Sequence, residues 1–183
     1  PFPNIDPNDP QAALKLMWNF EYRPAYTDDF DLRNFDADTG PVGEAPMDVE
    51  RHFILDHLRQ LWYTARLHVD PKPVYGANPD GVRFKQSLHP ILEPFDLKGV
   101  GLTGVRYLDP DRQDDTWLYL PTLRRVRRLS SAQRSDALFG QDTDVDSYGG
   151  YAGQIPWFDW KLIGDKKMLA TLHAEHFPVQ YCP

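Results

Sequence analysis

Cysteine is almost absent from this chain of 183 residues, which contains Cys182 alone. One cysteine cannot form an internal disulfide, so the sequence excludes a small secreted scaffold held together by disulfides. Long apolar runs are also missing. The longest stretch without Asp, Glu, Lys or Arg is residues 147–158, which is too short to cross a bilayer. We therefore predict no transmembrane span, and no signal-peptide pattern is visible at the start.

The usual short motifs of cofactor and nucleotide chemistry are missing as well. The sequence has no P-loop, no G-x-S-x-G and no C-x-x-C. Gly99, Gly101 and Gly104 have the spacing of a dinucleotide-binding loop, but strands rather than a helix are expected after them, so the context fails. We predict no cofactor, no catalytic residue and no metal site.

Acidic charge is concentrated at one end of the chain. Residues 1–60 hold 12 acidic and five basic side chains, which accounts for the whole net charge of −7. The remainder is neutral overall, so the composition predicts no nucleic-acid partner. Proline is abundant, with 17 residues, and the chain opens on Pro1 instead of Met. We therefore expect a processed or truncated product.

Proline and glycine spacing divides the chain into two regions. We expect residues 1–47 to form an N-terminal arm, a helix over about residues 10–22 with Asp9 as its N-cap, and a long acidic surface loop over residues 24–47. We expect residues 48–183 to form an antiparallel sheet domain. Residues 49–59 fit either a helix or a strand.

Alternating apolar residues predict the strands of that domain. They are residues 60–69, 104–108, 116–120 and 123–129, followed by a hairpin of 157–162 and 167–174 around Gly164-Asp165. The turns after residues 108 and 120 are too short for a parallel crossover, so this part should be an antiparallel meander.

Arginine is the most conspicuous charged residue of the meander. Five of the 13 arginines fall within 11 residues: Arg124, Arg125, Arg127, Arg128 and Arg134. The guanidinium fork suits phosphate or carboxylate, so an anionic headgroup is one candidate partner. The alternative is a solvated strand whose charges pair with nearby acids, namely Asp136, Asp142, Asp144 and Asp146.

Two patterns suggest metal ligands, and both depart from known spacings. Asp142, Asp144 and Asp146 begin like a calcium loop, but Ser147 and Gly153 stand where glycine and glutamate are needed.

His173, His176 and Cys182 could ligate zinc, but their spacing is not that of a metalloprotease helix. A metal-dependent hydrolase using His173, His176 and Glu175 is therefore the second alternative function.

Aromatic side chains cluster after Pro156, at Trp157, Phe158 and Trp160. They fit an ordinary strand core or the lining of an apolar cavity.

Residues 114–142 contain a long ordered motif, with the pattern W-x-Y-L-P-x-L-R-R-V-R-R followed by a serine-containing segment and F-G-x-D. It consists of Trp117, Tyr119, Leu120, Pro121, Leu123, Arg124, Arg125, Val126, Arg127, Arg128, Phe139, Gly140 and Asp142. The motif resembles a bacterial family of unknown function whose members are labelled outer-membrane lipoprotein-sorting proteins. Residues 1–20 and 155–170 also resemble this family.

The resemblance implies a fold similar to that of the periplasmic lipoprotein-localisation carriers. We accordingly expect an α+β protein in which a curved antiparallel sheet, a half-barrel, wraps around a few helices and holds an apolar ligand. Family members are longer than this chain and carry a secretion signal, so the sheet is expected to be incomplete here.

The implied function is a non-enzymatic periplasmic carrier of a lipid-like or other hydrophobic ligand, associated with the outer membrane and serving a membrane exporter. We expect the ligand to contact Trp117, Tyr119, Leu120, Arg125, Val126, Arg127, Phe158 and Trp160. Leu118 is a further candidate for the cavity wall. The first alternative is an interaction module that docks on a membrane transporter through the arm and the acidic loop of residues 24–47.

Overall fold

A computed structural model describes residues 2–23, 27–40, 49–130, 134–141, 143–146 and 150–169. These residues form one open antiparallel sheet of seven strands with a single α-helix, which confirms the expected α+β class. The strands are β1 (Asp29–Thr39), β2 (Arg51–Trp62), β3 (Val82–Leu88), β4 (Ile91–Glu93), β5 (Gly101–Tyr107), β6 (Asp115–Leu120) and β7 (Arg125–Leu129). Their order is β1-β2-β3-β5-β6-β7, and β4 pairs with β2 outside this order.

The meander of β5, β6 and β7 confirms the prediction for residues 104–129. Each strand pairs antiparallel with the next. The β6–β7 turn begins at Pro121 and includes Arg124, whose φ of 49° lies in the left-handed region. The alternating residues and the short turns of the meander are close together in sequence, so the alternation alone predicts these three strands.

The prediction of a loop over residues 24–47 is wrong for residues 29–39, which form the edge strand β1. Aspartate disfavours strands, but tertiary pairing overrides that preference. The β1 acids find basic partners across the ladder: Asp31 Oδ1 lies 2.7 Å from His57 Nδ1. Charged residues are also common on edge strands, where they discourage pairing with other chains. Eleven of the 24 residues in the loop that the interaction-module alternative uses for docking therefore belong to the sheet.

The strand predicted over residues 60–69 is displaced, because β2 ends at Trp62. The following turn is built around the buried Arg66, which makes a bidentate salt bridge with Asp29 at 2.6 Å. Asp28 accepts hydrogen bonds from the backbone N–H groups of residues 67, 68 and 69. Asp28 and Asp29 bind the polar groups of this turn. The alternating apolar residues after Trp62 therefore belong to a turn and not to a strand.

Helix α1 (Ala12–Glu21) confirms the predicted helix but begins later, with Gln11 as its N-cap. Asp9 is therefore not the cap. Its side chain instead accepts a hydrogen bond from the Gln11 N–H at 2.8 Å and pairs with Lys15.

The hairpin predicted over residues 157–174 is wrong in its described part. Ile155–Trp157 form a short 3-10 turn, and residues 158–169 belong to no strand. Local contacts satisfy the indole groups: Trp157 Nε1 donates to the Pro110 carbonyl and Trp160 Nε1 to the Ile155 carbonyl. Residues 170–174 lie outside the described residues.

Among the described residues, two small clusters form part of the buried core. One contains Leu55, Ile91 and Val100, and the other contains Val82, Val105 and Tyr107. Within the described ranges, no helix has the length and apolar character that a membrane crossing needs.

Candidate functional site

Five leucines lie opposite one another across five neighbouring strands, and we call them the leucine row. Its members are Leu32 (β1), Leu58 (β2), Leu88 (β3), Leu102 (β5) and Leu118 (β6). Directly paired residues of an antiparallel ladder share one face of the sheet. All five are half-buried. The row therefore forms an apolar stripe across the sheet, and we call this side the leucine face.

The leucine row ends at the edge strand β7, where arginines stand opposite the residues of β6. Arg127 on β7 is the direct partner of Leu118, and Arg125 is the partner of Leu120. Both arginines are exposed. One face thus carries an apolar stripe that ends in two guanidinium groups.

Helix α1 covers one border of the leucine face. Trp62, Phe84 and Arg106 are paired across β2, β3 and β5, four residues along each strand from the leucine row. Four residues of strand correspond to about 13 Å. The Tyr22 ring of the C-cap lies 5.6 Å from the Trp62 ring, so the helix end sits on this side of the sheet.

Buried charges attach the helix to the sheet. Glu21 at the helix end is 2.7 Å from Arg83 and 3.4 Å from Arg106, and all three side chains are nearly inaccessible. Burial alone would lower the pKa of Arg106, but the hydrogen bond with Asp114 and the charge of Glu21 raise it. The guanidinium therefore stays charged beneath the helix.

The opposite border of the leucine face meets the first core cluster. Leu88, Leu118 and Leu120 pack against the buried Ile91 and Val100. The stripe therefore lies between the border covered by the helix and these packed apolar side chains, and we call the strip of surface between them the groove.

The structure divides the predicted ligand residues of the meander between the two faces. Leu118, Leu120, Arg125 and Arg127 belong to the leucine face, as their pairing shows. The opposite face carries the other three predicted ligand residues, Trp117, Tyr119 and Val126, beside Arg128. On that side Arg128 is neutralised by Asp115, and Trp117 packs against the second core cluster.

Phe158 and Trp160 lie outside the sheet. Their rings are 6.1 Å apart, and the Trp160 ring is 5.3 Å from that of Tyr151. The Arg134 guanidinium lies 5.6 Å from the centre of the Tyr151 ring and forms an ion pair with Asp146 at 3.1 Å, as the charge-pairing interpretation expected for this arginine.

The two suspected metal motifs cannot be described as units. Asp142 of the calcium-like pattern lies outside the described residues, and so do His173, Glu175, His176 and Cys182. The metal-dependent hydrolase hypothesis therefore stays a prediction.

Sequence reasoning missed four members of the leucine row, namely Leu32, Leu58, Leu88 and Leu102. Each strand contributes only one of them, and residues from Leu32 to Leu118 come together solely through strand register. No motif within a single segment could have revealed the row.

Residues 1–181 match a family model described as a protein of unknown function (DUF1329). The chain belongs to this family. The resemblance inferred from the arginine-rich motif is thereby confirmed. A search of curated proteins gives no match.

Two solved structures share the fold of this DUF1329 member. One is a domain from Vibrio parahaemolyticus proposed to be an outer membrane lipoprotein-sorting protein, with 18% identity and a TM-score of 0.52, covering 80% of this chain and 51% of that one. The other is a DUF1329 family protein from Desulfovibrio piger, with 15% identity and a TM-score of 0.51, covering 75% and 48%. The chain thus spans about half the length of each structure.

Proposed function

We propose that this DUF1329 protein is a non-enzymatic carrier of an amphiphile that has an apolar chain and an anionic end. The observation that supports the proposal is the leucine row, which crosses five strands and meets Arg127 on the sixth. Such a stripe offers apolar contact along its length and one charged end. The general role agrees with the lipoprotein-sorting domain whose fold the chain shares.

The dimensions of the row fit a long chain. Neighbouring strands are ~4.8 Å apart, so five spacings place Arg127 about 24 Å from Leu32. Each methylene removed from water contributes about 0.8 kcal/mol, so contact along this length can supply most of the affinity. The guanidinium would add a charge-assisted hydrogen bond to a carboxylate or phosphate.

We propose a periplasmic setting for this role. A periplasmic protein associated with the outer membrane would use this groove to shield a lipid-like molecule from water, and a membrane exporter would be the partner that gives or receives it. The likeness to a sorting domain supports this setting.

Binding of a fluorescent fatty acid tests the charged end of the groove. Arg127→Gln removes a cation from the leucine face, whereas Arg128→Gln, one residue away, removes a cation from the opposite face. We expect Arg127→Gln to weaken binding by roughly three- to tenfold, equivalent to about 0.7–1.4 kcal/mol, as for a partly exposed charged hydrogen bond. Arg128→Gln should bind like the wild type. A neutral fatty alcohol should not distinguish the two variants.

A second pair of variants tests the apolar stripe. Leu102→Asn places an amide in the row, and Thr103→Asn places the same amide on the opposite face. We expect only Leu102→Asn to weaken binding, by about four- to twelvefold, because a half-buried leucine contributes about half of the roughly 1.5–3 kcal/mol of full burial. Absence of fatty-acid binding by the wild type, or equal losses in both variants, would contradict the proposal.

A further inference from the structure

Two turns lie side by side at one end of the sheet. The first, residues 95–99, leads from β4 to β5, and the second, residues 121–124, joins β6 to β7. The two turns touch, because a Cβ on Gly99 would lie 3.1 Å from Pro121. We call them, together with residues 125–127 at the start of β7, the basic tip.

Apolar side chains of the basic tip are exposed to water. Phe95 is 89% exposed, and Val126 and Leu123 are 62% and 49% exposed. Exposed apolar side chains that are grouped together and surrounded by polar residues mark contacts with proteins or membranes. The basic tip therefore presents an apolar surface that no described part of the chain covers.

Basic side chains surround this apolar surface. The two turns and β7 hold five basic residues and a single acid, Asp96. Asp96 is paired with Arg51 at 2.6 Å, and Arg128 is paired with Asp115. The other four basic side chains are exposed and form no ion pair with any described residue: Lys98, Arg124, Arg125 and Arg127.

Edge-strand protection explains only part of this arrangement. Charged side chains on an edge strand discourage pairing with other chains. This role fits Arg125 and Arg127, because β7 is an edge of the sheet. It does not account for Lys98 and Arg124, which lie in turns, or for the exposed ring of Phe95 in the same turn as Lys98.

We propose that the basic tip docks onto an anionic lipid bilayer, with Phe95 and Leu123 inserted among the headgroups and the four unpaired cations bound to lipid phosphates. Binding at this boundary grows with the buried apolar area and with the attraction of lysine and arginine to anionic lipids. Guanidinium groups suit phosphate because they can donate two parallel hydrogen bonds to it.

A bilayer fits the basic tip better than a folded acidic protein does. The exposed side chains come from two separate turns and one strand, and a fluid lipid surface adapts to them without a matching shape. The inference does not depend on the proposed carrier function, because the tip can bind a bilayer whether or not the groove holds a ligand.

The other end of the sheet provides matched control variants. Trp62 at the end of β2 is aligned with Arg106 of β5 through their common neighbour on β3. Arg106 is five residues along β5 from Gly101, which corresponds to about 17 Å. The turn after Trp62 carries Leu67 and Lys72, which are both exposed. Leu67→Ser and Lys72→Gln therefore remove an apolar side chain and a cation far from the basic tip.

Sedimentation of the full 183-residue chain with lipid vesicles tests the docking. The vesicles contain either phosphatidylcholine alone or phosphatidylcholine and phosphatidylglycerol in equal amounts. We expect the wild type to bind the anionic vesicles only. Arg124→Gln should weaken this binding by about fivefold, the contribution of one cation near an anionic surface. Phe95→Ser should weaken it by about four- to twelvefold, because insertion buries about half of the side chain.

The two control variants should bind the anionic vesicles like the wild type. All four substitutions replace exposed side chains, so the circular dichroism spectra should match that of the wild type. No binding of the wild type, equal binding to neutral vesicles, or equal losses in the control variants would overturn the proposal. Weaker binding by Arg124→Gln with no change in Phe95→Ser would also overturn it, since the protein would then adsorb by charge without inserting the tip.

Discussion

Glu21→Gln is the substitution that most directly tests how helix α1 is held over the leucine face. Glu21 is the shared acceptor of two guanidinium groups, at 2.7 Å from Arg83 and 3.4 Å from Arg106. The side chain of Glu21 is only 6% exposed, and those of Arg83 and Arg106 are 3% and 9% exposed. Replacing the carboxylate by an amide keeps the shape and removes the charge.

The expected loss follows from the buried charges that remain. Breaking a buried ion pair by removing one partner costs about 3–5 kcal/mol. Asp114 still neutralises Arg106, and the rings of Trp18 and Tyr22 still face Arg83 at 5.6 and 5.7 Å. We therefore expect the lower end of the range, about 3 kcal/mol, with most of the loss at Arg83.

Urea unfolding and thermal unfolding, both followed by tryptophan fluorescence, measure this change, because Trp18 and Trp62 flank the junction. For a chain of this size, about 3 kcal/mol corresponds to a Tm lower by roughly 6–12 °C. The control is Lys72→Gln, which removes an exposed pair with Asp70 and should leave the midpoint unchanged. A loss in Glu21→Gln as small as that of the control would refute the claim that this carboxylate attaches the helix.

Three further predictions concern the turns and their acids. Asp28→Ala leaves three backbone N–H groups without their acceptor, so we expect a loss of about 3 kcal/mol in urea unfolding. Burial opposes ionisation of Asp28, but those hydrogen bonds lower its pKa overall; the wild type should lose stability as the pH falls below about 4, and Asp28→Asn should show a flatter pH profile. Gly99→Ala should destabilise by about 1 kcal/mol, since φ is +82° and a Cβ would lie 3.1 Å from Pro121.

Local patterns predicted the parts of the fold that short turns define. The alternation and the Pro121 turn located β6 and β7, and the family motif indicated the fold class. β1 was missed because its aspartates are acceptable only through partners on β2, such as His52 and His57. The alternating aromatic residues after Ile155 predicted a strand that is not there. The indole N–H groups of Trp157 and Trp160 donate to the carbonyls of Pro110 and Ile155, so these side chains are hydrogen-bonded without a strand partner.

The candidate site depends on register, which no single segment encodes. The sequence predicted the two consecutive strands that hold Leu120, Arg125 and Arg127, and the structure places these three residues on one face. The rest of the row, from Leu102 to Leu32, requires four strand pairings. A shift of one residue in any pairing would move its leucine to the other face.

A fatty acid carrying a spin label on its chain gives the most direct test of the proposed groove. Methyl resonances of Leu88, Leu102 and Leu118 report on the leucine face, and those of Val105 and Val126 report on the opposite face. The proposal predicts strong broadening of the three leucines at saturating ligand, with little change at the two valines. Broadening at the valines with the leucines unaffected, or no site-specific broadening at all, would contradict it.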